Sequence, residues 1–272
     1  MERKKLERLI LLILLLLNLF LLAAVWTKQA AAERERRETH ELIAQLLRDG
    51  GIEPAAEVEL VRGCPGTCTL ERSMSQEEQF ARALLGKETE EEELGGSIWS
   101  YRSSAGVLVM RGTGEAELRF TEDHGISFKD AQRAFASAGV ELHTVSEERT
   151  GAELFQTCRC QWGGFPVYNA VLNFRFSEGA LREAAGTLPF AGGQSSAGAD
   201  GMDSVTALVR FLNLVRSEGI ICSRLEALNP GYMMYVTVSG ESTLTPVWHI
   251  VTDTVELYLD AVTGANAGSI SG

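Results

Sequence analysis

The sequence predicts an α+β protein, with a single N-terminal transmembrane helix followed by an extracytoplasmic region of repeated helix-plus-antiparallel-sheet units. Three observations predict it. Leu9 to Trp26 is an unbroken apolar run whose one polar side chain is Asn18. Beyond it, short stretches of helical periodicity alternate with longer stretches of alternating, β-branched residues punctuated by glycine. Finally, the junctions Gly50-Gly51-Ile52, Gly139-Val140 and Gly219-Ile220 close helical stretches in the same way, with a glycine and then an aliphatic residue.

At about 1.5 Å of rise per residue the apolar run spans about 27 Å, close to the roughly 30 Å hydrocarbon thickness of a bilayer. Arg3, Lys4, Lys5 and Arg8 precede it. The excess of positive charge makes residues 1–8 a cytoplasmic tail, 9–27 the span and everything after it extracytoplasmic, a single-pass cell-membrane topology. A cleaved signal peptide is the competing reading, with Ala30 and Ala32 as the small-residue site. Its apolar region is usually about 7 to 15 residues, shorter than this run. Asn18 at mid-membrane depth is a candidate partner contact, or else a single tolerated amide. Residues 28–50 continue as a juxtamembrane helix with Leu42, Ile43, Leu46 and Leu47 on one stripe, either a stiff coupling to the anchor or a solvated spacer.

The net charge of −12 becomes more negative still once the basic tail is set apart on the other side of a membrane. Such a surface argues against nucleic acid and against anionic lipid heads as partners. The rest of the chain reads as a first α+β region (51–122), a helix-plus-sheet repeat (123–190), a connector rich in Gly, Ser and Ala (191–202) and a second repeat (203–272). Ser75-Gln76-Glu77-Glu78 opens a helix with Phe80, Ala83 and Leu84 inward. Glu88 to Glu93 repels itself and reads as an exposed loop, and Ser97 to Phe120 reads as a three-strand meander. Ser127 caps a second helix with Phe128, Ala131, Ala134, Phe135 and Ala138 inward, and Asp203 caps a third carrying Val205, Leu208, Val209, Leu212 and Val215. Strands are expected at Leu154–Trp162, Pro166–Phe176, Ala180–Leu188, Ile220–Leu228, Tyr232–Val238, Thr245–Val251 and Val255–Asp260, with a weak tail after the turn at Thr263-Gly264. A gapless shift of eighty residues lays Gly151 on Gly231 and Pro166-Val167-Tyr168-Asn169 on Pro246-Val247-Trp248-His249.

Catalytic and cofactor chemistry is not signalled. His40, His124, His143 and His249 have no metal-ligand spacing, and no nucleophile elbow, phosphate loop or zinc-protease helix occurs. The chain is therefore expected to be no enzyme and to carry neither metal nor cofactor. The reactive candidates are Cys64, Cys68, Cys158 and Cys160, which can be disulfide partners, free thiols or, least economically, zinc ligands. Cys158 and Cys160, two apart on one strand, lie about 6.5 Å apart at Cβ, too far to bridge each other.

Gly164-Phe165-Pro166-Val167-Tyr168-Asn169-Ala170, Thr245-Pro246-Val247-Trp248-His249-Ile250 and Tyr258-Leu259-Asp260-Ala261-Val262-Thr263-Gly264 resemble the YycI family of membrane-anchored accessory regulators of the WalK sensor histidine kinase. The last stretch also resembles the closing strand and turn of PepSY-type domains. The cysteines and the connector depart from the pattern. The resemblance implies a non-enzymatic regulator of cell-wall homeostasis that contacts the kinase and a YycH-like membrane protein. It makes Pro166 and Pro246 strand openers, Tyr168 and Trp248 core residues and Gly264 a turn. The alternative is a PepSY-like inhibitory or ligand-binding module acting on an exported hydrolase.

The expected topology has a direct check. A reporter fused after Gly272 should be active only when exported, and a fusion active only in the cytoplasm would refute the single outward span.

Overall fold

The computed structural model describes residues 38–55, 58, 63–190, 196–197, 201–236 and 241–271, together with Asn18, Phe20, Leu22 and Trp26. The chain divides into two compact units, Met1–Pro54 and Ala55–Gly272. In the first, Asn18, Phe20, Leu22 and Trp26 are helical and exposed; the rest of the expected span at 9–27 lies outside the described residues. No helix among the described residues is long and apolar enough to cross a membrane. Helix α1 (38–49) buries Ile43 and Leu47, whereas Leu42 and Leu46 are exposed, so the stripe is narrower than its four residues suggest. A two-residue strand, β1 (Glu53–Pro54), follows.

The second unit runs β2 (Cys68–Leu70), α2 (Met74–Leu85), β3 (Glu90–Gly95), β4 (Ile98–Ser103), β5 (Gly106–Arg111), β6 (Glu115–Phe120), α3 (Phe128–Ser137), β7 (Glu141–Thr150), β8 (Glu153–Trp162), β9 (Phe165–Ser177), β10 (Ala180–Thr187), β11 (Ser196–Ala197), α4 (Ser204–Glu218), β12 (Arg224–Val236), β13 (Ser242–Thr252), β14 (Val255–Asp260) and β15 (Asn266–Ser271). The architecture is mixed α+β and mostly sheet. Strand order is β11-β2-β13-β12-β9-β10-β6-β5-β4-β3, with β8 and β7 continuing from β9, and β14 and β15 from β13. Among the described residues a helix followed by a four-strand antiparallel meander occurs three times: α2 with β3–β6, α3 with β7–β10, and α4 with β12–β15.

Local chemistry explains the helix ends. Ser127 accepts from the Asp130 amide and Asp203 from the Thr206 amide, each satisfying an orphan N–H of the first turn. At the other end Ile52, Val140 and Ile220 donate to the carbonyls of Leu47, Phe135 and Val215 at 2.9, 3.0 and 3.1 Å, past the positive-φ glycines Gly51, Gly139 and Gly219. This is the bond from the second residue beyond a helix back into its last turn, and it needs a residue free to adopt φ > 0.

One face of the long sheet carries α2 and α3. Phe80 meets Phe135 edge-on at 5.0 Å, and Phe135 meets Phe174 at 5.9 Å, within a core that includes Tyr101, Leu108, Leu172 and Leu181. Glu77, 2 % exposed, enters this core from α2. Arg72 donates to both its oxygens at 2.5 and 2.9 Å, and the Tyr101 hydroxyl donates to it at 3.4 Å, so the buried charge has its partners. The opposite face is solvated and charged. Arg175 bridges Glu153 and Glu183, both at 3.0 Å, as alternation in an antiparallel sheet allows.

Several expectations need correction. The N-cap of α2 is Ser73, not Ser75, and the inward residues are Ala81 and Leu85 rather than Ala83. The acidic run is no loop: Glu90–Gly95 is an edge strand, exposed throughout, paired with β4 alone. The face of α4 rotates to bury Ala207 and Phe211 with Leu208 and Leu212, leaving Val209 exposed. The tail after Gly264 is strand β15, paired with β14. Pro246 does not open a strand; it sits inside β13, where one edge passes from β2 (Ser242 to Leu244) to β14 (Val247 to Val251) and no ladder N–H is needed. The gapless eighty-residue alignment fails too, because Tyr168 lies on the third strand of its meander and Trp248 on the second. Gly151 is a turn residue with φ 64°, whereas Gly231 lies within β12. Among the described residues no meander follows directly on Gly50-Gly51-Ile52; a third helix-plus-meander unit is built on α2 instead.

The meanders of α3 and α4 join where β9 runs parallel to β12, with Val167 paired to Tyr232. Asn169 extends the pairing with its side chain, donating to the Met234 carbonyl and accepting from its amide, both at 2.7 Å. A Cβ on Gly231 would stand 2.4 Å from Tyr168 Cε2 and 2.7 Å from the Pro166 carbonyl oxygen. Gly231→Ala should therefore destabilise the unit near the upper end of the roughly 1–3 kcal/mol typical of overpacking, read as a lower urea midpoint. A midpoint equal to that of the parent would show that the approach is slack.

Candidate functional site

Where the two meanders join, the face of the sheet away from Cys158, Cys160 and Val167 forms a cleft of about 520 Å³ lined by His143, Arg159, Tyr168, Asn229 and His249, with Phe165, Pro166 and Pro230. Alternation builds it. Cys158 and Cys160 on β8 enter the main core, which turns Arg159 to the other face, and on β9 the buried Val167 does the same for Tyr168. His143 pairs directly with Arg159 across β7 and β8, so the two share a face. Val247 and His249 alternate on β13 with Trp248, which is fully buried and donates from Nε1 to the Met202 carbonyl at 3.0 Å.

The cleft has an aromatic floor. Tyr168, His249 and Tyr258 stack in mutual contact, with ring centroids at 4.7 Å, 4.8 Å and 5.2 Å. The Tyr168 hydroxyl donates to the Asn229 carbonyl at 3.3 Å, and burial pushes that phenol's pKa up, so it stays protonated. His249 Nε2 meets Glu256 Oε2 at 2.9 Å. Burial pulls the imidazole's pKa below its ordinary value and outweighs the opposing pull of Glu256; the ring is thus neutral at pH 7, with Nε2–H donating to the carboxylate.

Over this floor lies the Arg159 guanidinium, 5.4 Å from the Tyr168 ring centroid. Its Nε is shielded from solvent and has no hydrogen-bond partner among the described residues. Other half-buried arginines are satisfied: Arg72 by Glu77, Arg111 by Glu117, Arg175 by Glu153 and Glu183, and Arg182 by the carbonyls of Glu122 and His124. Among the described residues Arg159 alone of this group holds neither a carboxylate nor a carbonyl. A partly desolvated cation with no counter-ion, on an aromatic floor, is equipped to take an anion.

Of the residues singled out in the sequence, Pro166 and Tyr168 belong to the cleft. Pro246 and Trp248 support β13 behind it, and Gly264, at φ 74°, makes the β14–β15 turn, where Asp260 Oδ1 accepts from the amides of Val262 and Thr263. Asn18 is not part of this unit. All five cysteines are free thiols. Of the alternatives open for Cys64, Cys68, Cys158 and Cys160, this structure holds the free thiols: Cys64 Sγ donates to the Val247 carbonyl, Cys160 Sγ to the Thr187 carbonyl, and Cys158 lies beside the Thr144 hydroxyl. Burial pushes the Cys64 and Cys160 thiols up to about 12, which keeps them protonated and unreactive. Among the described residues no cluster of three His, Cys, Asp or Glu side chains could hold a metal ion. Sequence reasoning passed over Arg159, His143, Asn229 and Tyr258 as site residues, because they converge from β7, β8, β12 and β14 and share no local motif.

No family model matches the chain, and no curated protein matches it. Among solved structures, an uncharacterized protein from Eubacterium rectale ATCC 33656 is similar over 80 % of this chain and 91 % of that one, at 10 % identity and a TM-score of 0.46. The C-terminal domain of YpeB from Bacillus megaterium is similar over 74 % of this chain and 98 % of that one, at 11 % identity and a TM-score of 0.38.

The neutral His249 gives the fold a signed pH dependence. Because burial lowers the folded-state pKa, the unfolded chain takes up the proton first. Stability from this group is therefore whole above the ordinary value of 6.5 and is lost as pH falls through the folded-state pKa. Replacing His249 with Gln should flatten the decline in urea midpoint between about pH 7 and pH 5. An unchanged slope would place the titration elsewhere.

Proposed function

We propose that the chain is a non-enzymatic, membrane-anchored regulator, whose extracytoplasmic part binds rather than transforms and which acts on a sensor histidine kinase of the WalK type beside a YycH-like partner. The observation that carries this reading is the cleft: an arginine without a counter-ion among the described residues over a packed aromatic floor, in which the His249 imidazole is tied to Glu256 and packed against two tyrosines. Such a surface recognises. Gly164, Phe165, Pro166, Tyr168 and His249, which line it, fall within the stretches that resemble the YycI family. The second reading, a PepSY-like module that restrains an exported hydrolase, draws on the Asp260-capped turn and Gly264.

A regulator without chemistry of its own works through differential affinity for its partner's states. In the anchor, Asn18 is the side chain able to hydrogen-bond at depth, and such bonds are worth about 0.6 to 2 kcal/mol, a three- to thirty-fold bias. Deleting residues 28–272 should change phosphorylation of the cognate response regulator most, and Asn18→Leu should shift it by about threefold or more at equal abundance. Output that neither change moves would remove the kinase from the proposal. Release of an exported hydrolase by the deletion would select the second reading.

A further inference from the structure

We infer that the cleft over Tyr168 binds a small organic carboxylate borne on a flat ring, held end-on by the two Nη groups of Arg159 with its ring lodged against Tyr168, Phe165 and Pro230. The inference rests on the reading of this face as a recognition site and names what it recognises.

Charge limits the ligand first. Arg159 is the permanent cation of the cleft, Glu256 lies behind His249, and the chain carries a net charge of −12. A single guanidinium in an acidic protein balances one negative charge, whereas a phosphate dianion or a polyanion would meet net repulsion. Shape limits it next. With Nε shielded and unbonded, the desolvation of the guanidinium is left to the Nη pair, whose parallel N–H bonds match the two oxygens of a carboxylate in one plane. The remaining lining is flat and apolar. Tyr168 is held by its hydroxyl bond to Asn229, Phe165 packs edge-on to Tyr232 at 6.2 Å, and Pro166 and Pro230 are rigid. A volume of about 520 Å³ is of the order that takes a ring with a short substituent. Asn229 and Gln161 at the margin can address polar groups on the ring.

The test uses the full chain in detergent micelles, with benzoate, its neutral isostere benzamide and inorganic phosphate titrated by calorimetry. Benzoate should bind saturably with a dissociation constant of about 1 mM or below, and benzamide and phosphate at least about tenfold more weakly. Arg159→Gln should weaken benzoate at least about tenfold, whereas Arg149→Gln, on the exposed edge strand β7, should leave it unchanged. If Arg159→Gln does not fold, Arg159→Lys keeps the charge without the fork and should still bind at least about fivefold more weakly. Absence of saturable binding up to about 10 mM, equal binding of benzamide or phosphate, or an Arg159 variant that binds like the parent would each overturn the assignment. Failure here with an intact effect on response-regulator phosphorylation would remove the ligand class alone; binding without any such effect would remove the kinase and leave the ligand.

Discussion

The close approach of β12 to β9 is the contact on which the second unit depends. At Gly231 the backbone of one meander comes so near the Tyr168 ring and the Pro166 carbonyl of the other that no side chain fits between them. That proximity lets Val167 pair with Tyr232 in the unit's parallel register and lets the Asn169 amide stand in for a missing peptide group opposite Met234. Without it, β9 and β12 would present unpaired edges to solvent, and the two meanders would be separate sheets.

The cleft follows from this junction. Two antiparallel meanders, each with a helix on one face, meet with their uncovered faces side by side, and the residues that alternate outward near the seam are turned toward one another. Arg159 comes from one meander and His249 and Tyr258 from the other, with Tyr168 reaching across the seam to contact all three. The helix-bearing face buries ordinary apolar side chains. The seam gathers the unusual ones, because neither meander alone had to satisfy them.

Much of the fold was legible in the residues. The glycine-broken alternation from Ser97 to Phe120 became β4, β5 and β6, and Ser127 and Asp203 capped helices because a side-chain oxygen there meets an otherwise orphaned amide. What was illegible has physical causes. β7 is polar and exposed along nearly its whole length, so no burial imprints a period on it, and β3 hides under four glutamates for the same reason. Asn229-Pro230-Gly231 reads as a turn in isolation, yet it runs straight through β12, since the glycine answers a neighbour far away in sequence rather than a local bend. Arg159 is invisible for a similar reason: one arginine alternating with two cysteines on a strand is unremarkable until the strands from the other meander enclose it.

The acidic run carries a further implication. β3 ends the long sheet as an open row of amides and carbonyls, a template on which another copy of the chain could lay its own edge. Glu90, Glu91, Glu92 and Glu93 hold four carboxylates along that row, all exposed. Two copies approaching edge to edge would bring like charges to within one strand spacing of about 4.8 Å. The glutamates thus act as a colloidal guard: like charge along the exposed edge lets the molecule keep an open sheet in a crowded compartment without polymerising.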